Sequence, residues 1–324
     1  MTTVSLAPAV QRLIDEIPHG VPEHLSPAEQ REYMALLSDL IFFRYGQPGP
    51  VVHAIEDHTV PVAGGEILVR VYRPSAKRPL PAHVTLHGGG WKLGSIRERV
   101  ADAICRQRCI EANCVVLGVD YRLAPEHPFP VPLDDCYSAL RWAADQVGPL
   151  GVDPANFSVG GASAGGNLAA AVAIRCRDQG SPRLRFQLLE VPALDLTRET
   201  ALATLASGVL PDVPQPTMED AAASYLSDPA QARDPLASPL LADDLQGLPA
   251  AHVMTAEYDA LRTEGERYAA RLRAAGVTAT HRRYPGALHG TAMLTRTWEQ
   301  ARQWQRDAAI ALREAHWAAQ LASA

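Results

Sequence analysis

The chain has 324 residues, 47% of them apolar, enough to bury a sizeable core in one large α/β unit. Its formal net charge is -6 and its basic runs are as short as Arg282-Arg283, which argues against a nucleic-acid partner. Five cysteines, an odd number in a chain this long, argue against a disulfide scaffold; buried free thiols are expected, and no His or carboxylate completes a metal set around Cys105 and Cys109.

Met1 to Gly20 has no basic start followed by an apolar run, so no secretory signal is expected. No stretch approaches the ~18 apolar residues of a membrane span, so no membrane partner is expected and the cytoplasm is the default location. Leu6, Val10, Leu13, Ile14 and Ile17 recur at helical spacing. Ser26-Pro27-Ala28-Glu29 then reads as a capping box with proline at the first helical position, followed by an apolar stripe of Met34, Leu37, Leu40 and Ile41. The linker Gly46-Gln47-Pro48-Gly49-Pro50 closes this region.

Strands and helices alternate from there. Strands are predicted over 66–72 and 83–86, and a second capping box, Ser95 to Glu98, is predicted to start a helix running towards Ala112. The apolar run 114–120 has the character of a strand buried on both faces. A helix over 136–146, a strand over 157–160, a helix over 168–176 and strands over 186–191 and 251–255 follow. Gly276 is predicted to end a helix before a last strand at 278–284, and the chain from Thr297 is predicted helical. Such alternation implies a mostly parallel sheet with helices on both faces. The stretch 195–248, rich in Pro, Asp, Ala and Ser, reads as a helical insertion. The expected organisation is an N-terminal helical segment (1–50), a core (51–194 and 249–324), and the insertion (195–248), which joins the first segment as a cap.

Four signals carry chemistry. Gly161-Ala162-Ser163-Ala164-Gly165 stands between a predicted strand and a predicted helix, the setting of a nucleophile elbow. His87-Gly88-Gly89-Gly90-Trp91 follows a strand and leaves bare amides; Gly88 and Gly89, with Ala164, are candidate oxyanion donors. His87 itself reads as a residue that shapes this loop. Asp259 follows another strand, with Glu257, Asp195, Asp243 and Asp244 as competing acids. Leu288-His289-Gly290 follows the last strand and completes the chain order Ser, acid, His.

These residues, with the run Asp120-Tyr121-Arg122-Leu123-Ala124-Pro125-Glu126-His127-Pro128-Phe129-Pro130, resemble the bacterial hormone-sensitive-lipase-like esterases over roughly Val71 to the C-terminus. The resemblance implies an α/β-hydrolase core under a helical cap and hydrolysis of short- to medium-chain carboxylic esters. It matches Ser163, Asp259 and His289 to the triad and Gly88, Gly89 and Ala164 to the oxyanion donors. Two departures stand out: Ala260 replaces the proline usual after the acid, and Thr291 stands where an aromatic is common. The partner expected is a small-molecule ester; no cofactor and no metal are required. A lactonase, amidase or thioesterase would use the same triad, and a non-catalytic binder would lack His289. The oligomeric state is not readable, a homodimer being one option.

Overall fold

A computed structural model of the chain describes residues 6–17, 22, 24–208, 210 and 218–321. The elements in order are α1 (Pro8–Glu16), α2 (Pro27–Tyr45), β1 (Ala54–Val62), β2 (Gly65–Arg73), β3 (Leu80–Leu86), α3 (Arg99–Glu111), β4 (Val115–Asp120), α4 (Val131–Asp145), α5 (Val147–Leu150), β5 (Val152–Ala162), α6 (Ala164–Gln179), β6 (Leu184–Glu190), α7 (Glu199–Ala206), α8 (Met218–Tyr225), β7 (Ala250–Tyr258), α9 (Arg262–Ala274), β8 (Ala279–Leu288) and α10 (Glu299–Leu321). Among the described residues the strands form one sheet in the order β1-β2-β4-β3-β5-β6-β7-β8. The hairpin β1–β2 is antiparallel and β2 lies antiparallel on β4; every other pairing is parallel.

Side chains of successive strand residues point to opposite faces, and this divides the core. Val115, Leu117 and Val119 pack with Leu133 of α4, Leu168 of α6 and Tyr268 of α9. Val116, between them, joins Cys105 and Cys109 of α3 and Trp304 and Ala308 of α10 on the other face. Both faces are therefore covered, which is why the parallel strands read as apolar runs. The fold is that of the α/β hydrolases, as the resemblance implied.

Several elements differ from the sequence reading. Strand β1 was not foreseen: it is an edge strand whose Glu56 and Asp57 face solvent, so it carries no apolar run. The capping box at Ser26 forms, with Glu29 Oε2 accepting the Ser26 N–H at 2.8 Å. The one expected at Ser95 does not. There the Ser95 hydroxyl accepts the Arg97 N–H at 3.1 Å, Glu98 accepts the Ser38 hydroxyl of α2 at 2.6 Å, and α3 begins only at Arg99. Leu40 is 48% exposed rather than part of a buried stripe; α2 buries Leu37 and Tyr45 instead. All five cysteines are free and buried. Among the described residues no helix is long and apolar enough to cross a membrane.

Val10 of α1 and Tyr45 of α2 pack against Leu288, Leu294 and Ala301, which seats the N-terminal helices beside the end of β8. Of the segments expected to form a cap, residues 1–5, 18–21, 23, 209 and 211–217 lie outside the described residues.

Candidate active site

The chain runs from β3 outwards to β4 and from β5 outwards to β6 on the other side. The loops after β3 and β5 therefore diverge at a crevice, the usual ligand position in such sheets. Ser163 sits there, at φ 56° and ψ -118°, between β5 and α6. This backbone is strained for any residue with a side chain. The glycines around it are required by close approach. A Cβ on Gly165 would lie 2.1 Å from the Leu86 carbonyl oxygen and 2.5 Å from that of His87, and one on Gly161 would lie 2.5 Å from Leu86 O. The Ser163 N–H donates to Glu190 O at 2.9 Å, fixing the bend to β6.

Strands β7 and β8 pair Tyr258 with Leu288, so Asp259 and His289 leave the sheet side by side. His289 Nδ1 lies 2.8 Å from Asp259 Oδ2, and His289 Nε2 lies 3.0 Å from Ser163 Oγ. Asp259 is fully buried and its other oxygen accepts the Leu261 N–H at 2.9 Å. Burial by itself pushes the imidazole pKa down, but the charge and hydrogen bond of Asp259 outweigh it, and the net shift is upward from 6.5. The competing acids are engaged elsewhere. Glu257 accepts the Gly286 N–H at 2.7 Å, Asp195 holds the hydroxyls of Thr197 and Thr200 at 2.5 and 2.7 Å, and Asp243 and Asp244 are exposed.

Gly88 and Gly89 line the same cavity as Ser163 and His289. The amides of Gly88, Gly89 and Ala164 find no acceptor among the described residues. Gly89 has φ +118°, and its Cβ would lie 2.1 Å from Leu93 O, so only glycine fits. The run 120–130 holds this loop in place. The Tyr121 hydroxyl donates to His87 O at 2.7 Å and its ring stacks on the His87 ring at 4.2 Å. The Ala124 N–H donates to Trp91 O at 2.9 Å, and Arg31 of α2 donates to Lys92 O at 3.0 Å and Ala124 O at 2.8 Å. His87 is turned into the loop, its Nδ1 2.8 Å from Gly88 O, and burial lowers its pKa.

Two buried groups were missed in the sequence. Ser158 Oγ lies 2.9 Å from both His83 Nδ1 and His316 Nε2, with Asn156 Oδ1 2.7 Å from His316 Nδ1. This cluster resembles a triad on paper, but Ser158 and His83 are fully buried and none of the four lines the cavity. It ties α10 to the sheet. The other is Glu190, which pairs with Arg108 and accepts the Trp304 indole N–H at 2.7 Å. Its signal was legible: a lone carboxylate in the apolar run 186–191. The cavity above Ser163 encloses about 630 Å³ and is lined by α2, the oxyanion loop, α3 and the start of α10. Among the described residues no cluster of three His, Cys, Asp or Glu is placed to hold a metal.

The sequence pattern of the α/β hydrolase fold family matches residues 83–293. The chain is 43% identical over 255 residues to the carboxylic ester hydrolase LipN of Mycobacterium tuberculosis, a match spanning 75% of this chain and 66% of LipN, just under two thirds of that protein. An arylesterase of Saccharolobus solfataricus is 38% identical over 244 residues, 75% of this chain and 78% of its own. Among solved structures, an esterase from the hyperthermophilic archaeon Pyrobaculum calidifontis superposes with a TM-score of 0.86 at 38% identity, covering 96% of this chain and 99% of its own. The chain belongs to the α/β-hydrolase fold family, in its hormone-sensitive-lipase-like esterase branch.

Proposed function

We propose that the protein is a serine carboxylesterase acting on short- to medium-chain esters, with Ser163 as nucleophile, His289 as base and Asp259 as the group that orients it. One observation carries this reading: an unbroken hydrogen-bond chain from Asp259 through His289 to Ser163, ending at the wall of a cavity. Serine needs a base to attack at neutral pH. His289 Nε2 takes the Ser163 proton as Oγ bonds to the ester carbonyl carbon, and the carbonyl π pair moves onto oxygen. The amides of Gly88, Gly89 and Ala164 receive that oxyanion, a contribution of about 2.7–4 kcal/mol per donor in comparable sites. His289 then protonates the leaving alcohol, and water repeats the sequence on the acyl-enzyme. Asp259 holds the imidazole with Nδ1–H towards itself and steadies the imidazolium. The N-terminal helices and the 195–248 segment form the cap that shapes the cavity, and the cytoplasm is the proposed location.

Ser163→Ala should abolish hydrolysis of p-nitrophenyl butyrate while the melting temperature holds. An aryl phosphonate should add its mass to the peptide that contains Ser163. Retained turnover in the folded variant, or label on another residue, would overturn the assignment.

A further inference from the structure

The oxyanion loop is held from two sides. On one, Tyr121 holds His87. The His87 carbonyl and the Gly88 N–H belong to one planar peptide, so that hydrogen bond also sets the direction of the Gly88 amide. The other side faces α8, part of the 195–248 segment, and three successive loop residues meet this helix. A Cβ on Gly90 would lie 3.0 Å from the Ala221 Cβ, so the helix backs directly onto the loop. The Trp91 ring stacks on the Tyr225 ring, with centroids 4.5 Å apart and planes 6° from parallel. Lys92 pairs with Asp220. The Phe129 N–H donates to Tyr225 O at 2.7 Å, which ties the end of α8 to the run 120–130. Trp91 and Tyr225 are fully buried, and neither lines the cavity. The Trp91 indole N–H and the Tyr225 hydroxyl find no partner among the described residues, so the two rings meet through their faces alone. Trp91 has φ 59°, a left-handed backbone that a bulky residue keeps only under restraint. Its position reaches the donors through the chain: Gly89 O accepts the Leu93 N–H at 2.9 Å and the Lys92 N–H at 3.3 Å, closing residues 89–93 into one turn.

We infer that α8 positions the oxyanion donors: Tyr225, through its stack on Trp91, holds Gly88 and Gly89 where the charged oxygen will stand, with the Lys92–Asp220 pair as an outer tie. The inference rests on the esterase reading above and deepens it. Tyr225 touches no substrate and is a positioning residue. The ion pair is the weaker tie, because the Asp220 side chain is 63% exposed and such pairs contribute little. Oxyanion donors act only once charge has moved onto the oxygen, so cutting the stack slows turnover without loosening the hold on the substrate.

Tyr225→Leu should lower kcat on p-nitrophenyl butyrate by about tenfold or more, with KM within about threefold of the wild type. An aryl trifluoromethyl ketone reads the donors themselves. Ser163 Oγ bonds to its carbonyl carbon, the Ser163 proton passes to His289, and the carbonyl π pair becomes an oxyanion facing the loop. Its inhibition constant should weaken by the same factor as kcat/KM. Tyr225→Phe keeps the stack and loses only a hydroxyl without a partner, so it should match the wild type in kcat, KM and inhibition. Melting temperatures report folding. Asp220→Asn cuts the outer tie at an exposed position and should lower kcat by about two- to fivefold, which keeps the inference open to refutation even if Tyr225→Leu does not fold. Wild-type kcat in folded Tyr225→Leu, a raised KM at constant kcat, or a fall in kcat with ketone inhibition unchanged would each overturn it. So would a Tyr225→Phe enzyme as slow as Tyr225→Leu, or, where Tyr225→Leu does not fold, wild-type kcat in Asp220→Asn. A wild-type enzyme that neither hydrolyses the ester nor binds the ketone would instead remove the esterase reading beneath it.

Discussion

Gly165→Ala tests whether the elbow and the oxyanion loop are as tightly fitted as the structure implies. On helix propensity alone the change should stabilise by about 1 kcal/mol, since Gly165 lies in the first turn of α6. The new methyl, however, would sit 2.1 Å from Leu86 O and 2.5 Å from His87 O, both backbone atoms at the end of β3. Real Cβ contacts essentially never fall below 3.0 Å, so the oxyanion loop and the elbow must part by about 1 Å. Overpacking of this kind costs about 1–3 kcal/mol and exceeds the propensity gain. The same displacement moves Gly88 and Gly89 away from Ser163, and misplacement of about 1 Å lowers a rate by about 10²-fold. The assay is kcat on p-nitrophenyl butyrate well below the melting temperature, beside a melt in which about 2–4 °C is lost per kcal/mol. Gly148→Ala, in α5, is the control, because its Cβ meets nothing within 4 Å; it should leave kcat unchanged and show the propensity gain alone, a melting temperature no lower than that of the wild type. A Gly165→Ala enzyme with wild-type kcat and melting temperature would refute the reasoning.

Asp259→Asn should lower kcat by about 10⁴-fold, because an amide stabilises the wrong imidazole tautomer, whereas Asp195→Asn should leave kcat within about tenfold; the reverse ranking would reassign the acid. In the proposed mechanism neutral His289 is the active form, and its pKa is raised, so kcat/KM should fall as pH drops from a point above 6.5, and a flat profile to pH 5 would exclude a His base. Burial lowers the His316 pKa to about 4 and that of His83 well below 6.5. The unfolded chain then takes these protons first, so their contribution is fully present above pH 6.5 and is lost as pH falls towards 4, roughly 3 kcal/mol for His316 alone. His289 works in the opposite sense, favouring the fold below pH 6.5 and losing that contribution above its folded pKa. Denaturant melts at pH 7 and pH 5 should therefore differ more for the wild type than for His316→Gln; equal differences would sink this account.

What the sequence determined by itself is whatever depends on a few neighbouring residues. The elbow, the glycine loop and the Ser26 capping box are readable because their geometry is settled within one turn of chain. The parallel strands are readable because burial on both faces makes them continuously apolar. Tertiary structure decided the rest. Ser95 and Glu98 have the same spacing as Ser26 and Glu29, yet no box forms: the Ser95 hydroxyl accepts the Arg97 N–H rather than that of Glu98, and the Glu98 carboxylate also takes the hydroxyl of Ser38, 60 residues away in sequence. Asp259 stood among five acids until the register of β7 on β8 set it against His289. Arg108 and Glu190, 82 residues apart, look like ordinary charges in the sequence; only the packing of α3 and α10 on one sheet face brings them to the cavity. Such pairings depend on which distant surfaces meet, and no local pattern of residues encodes that meeting.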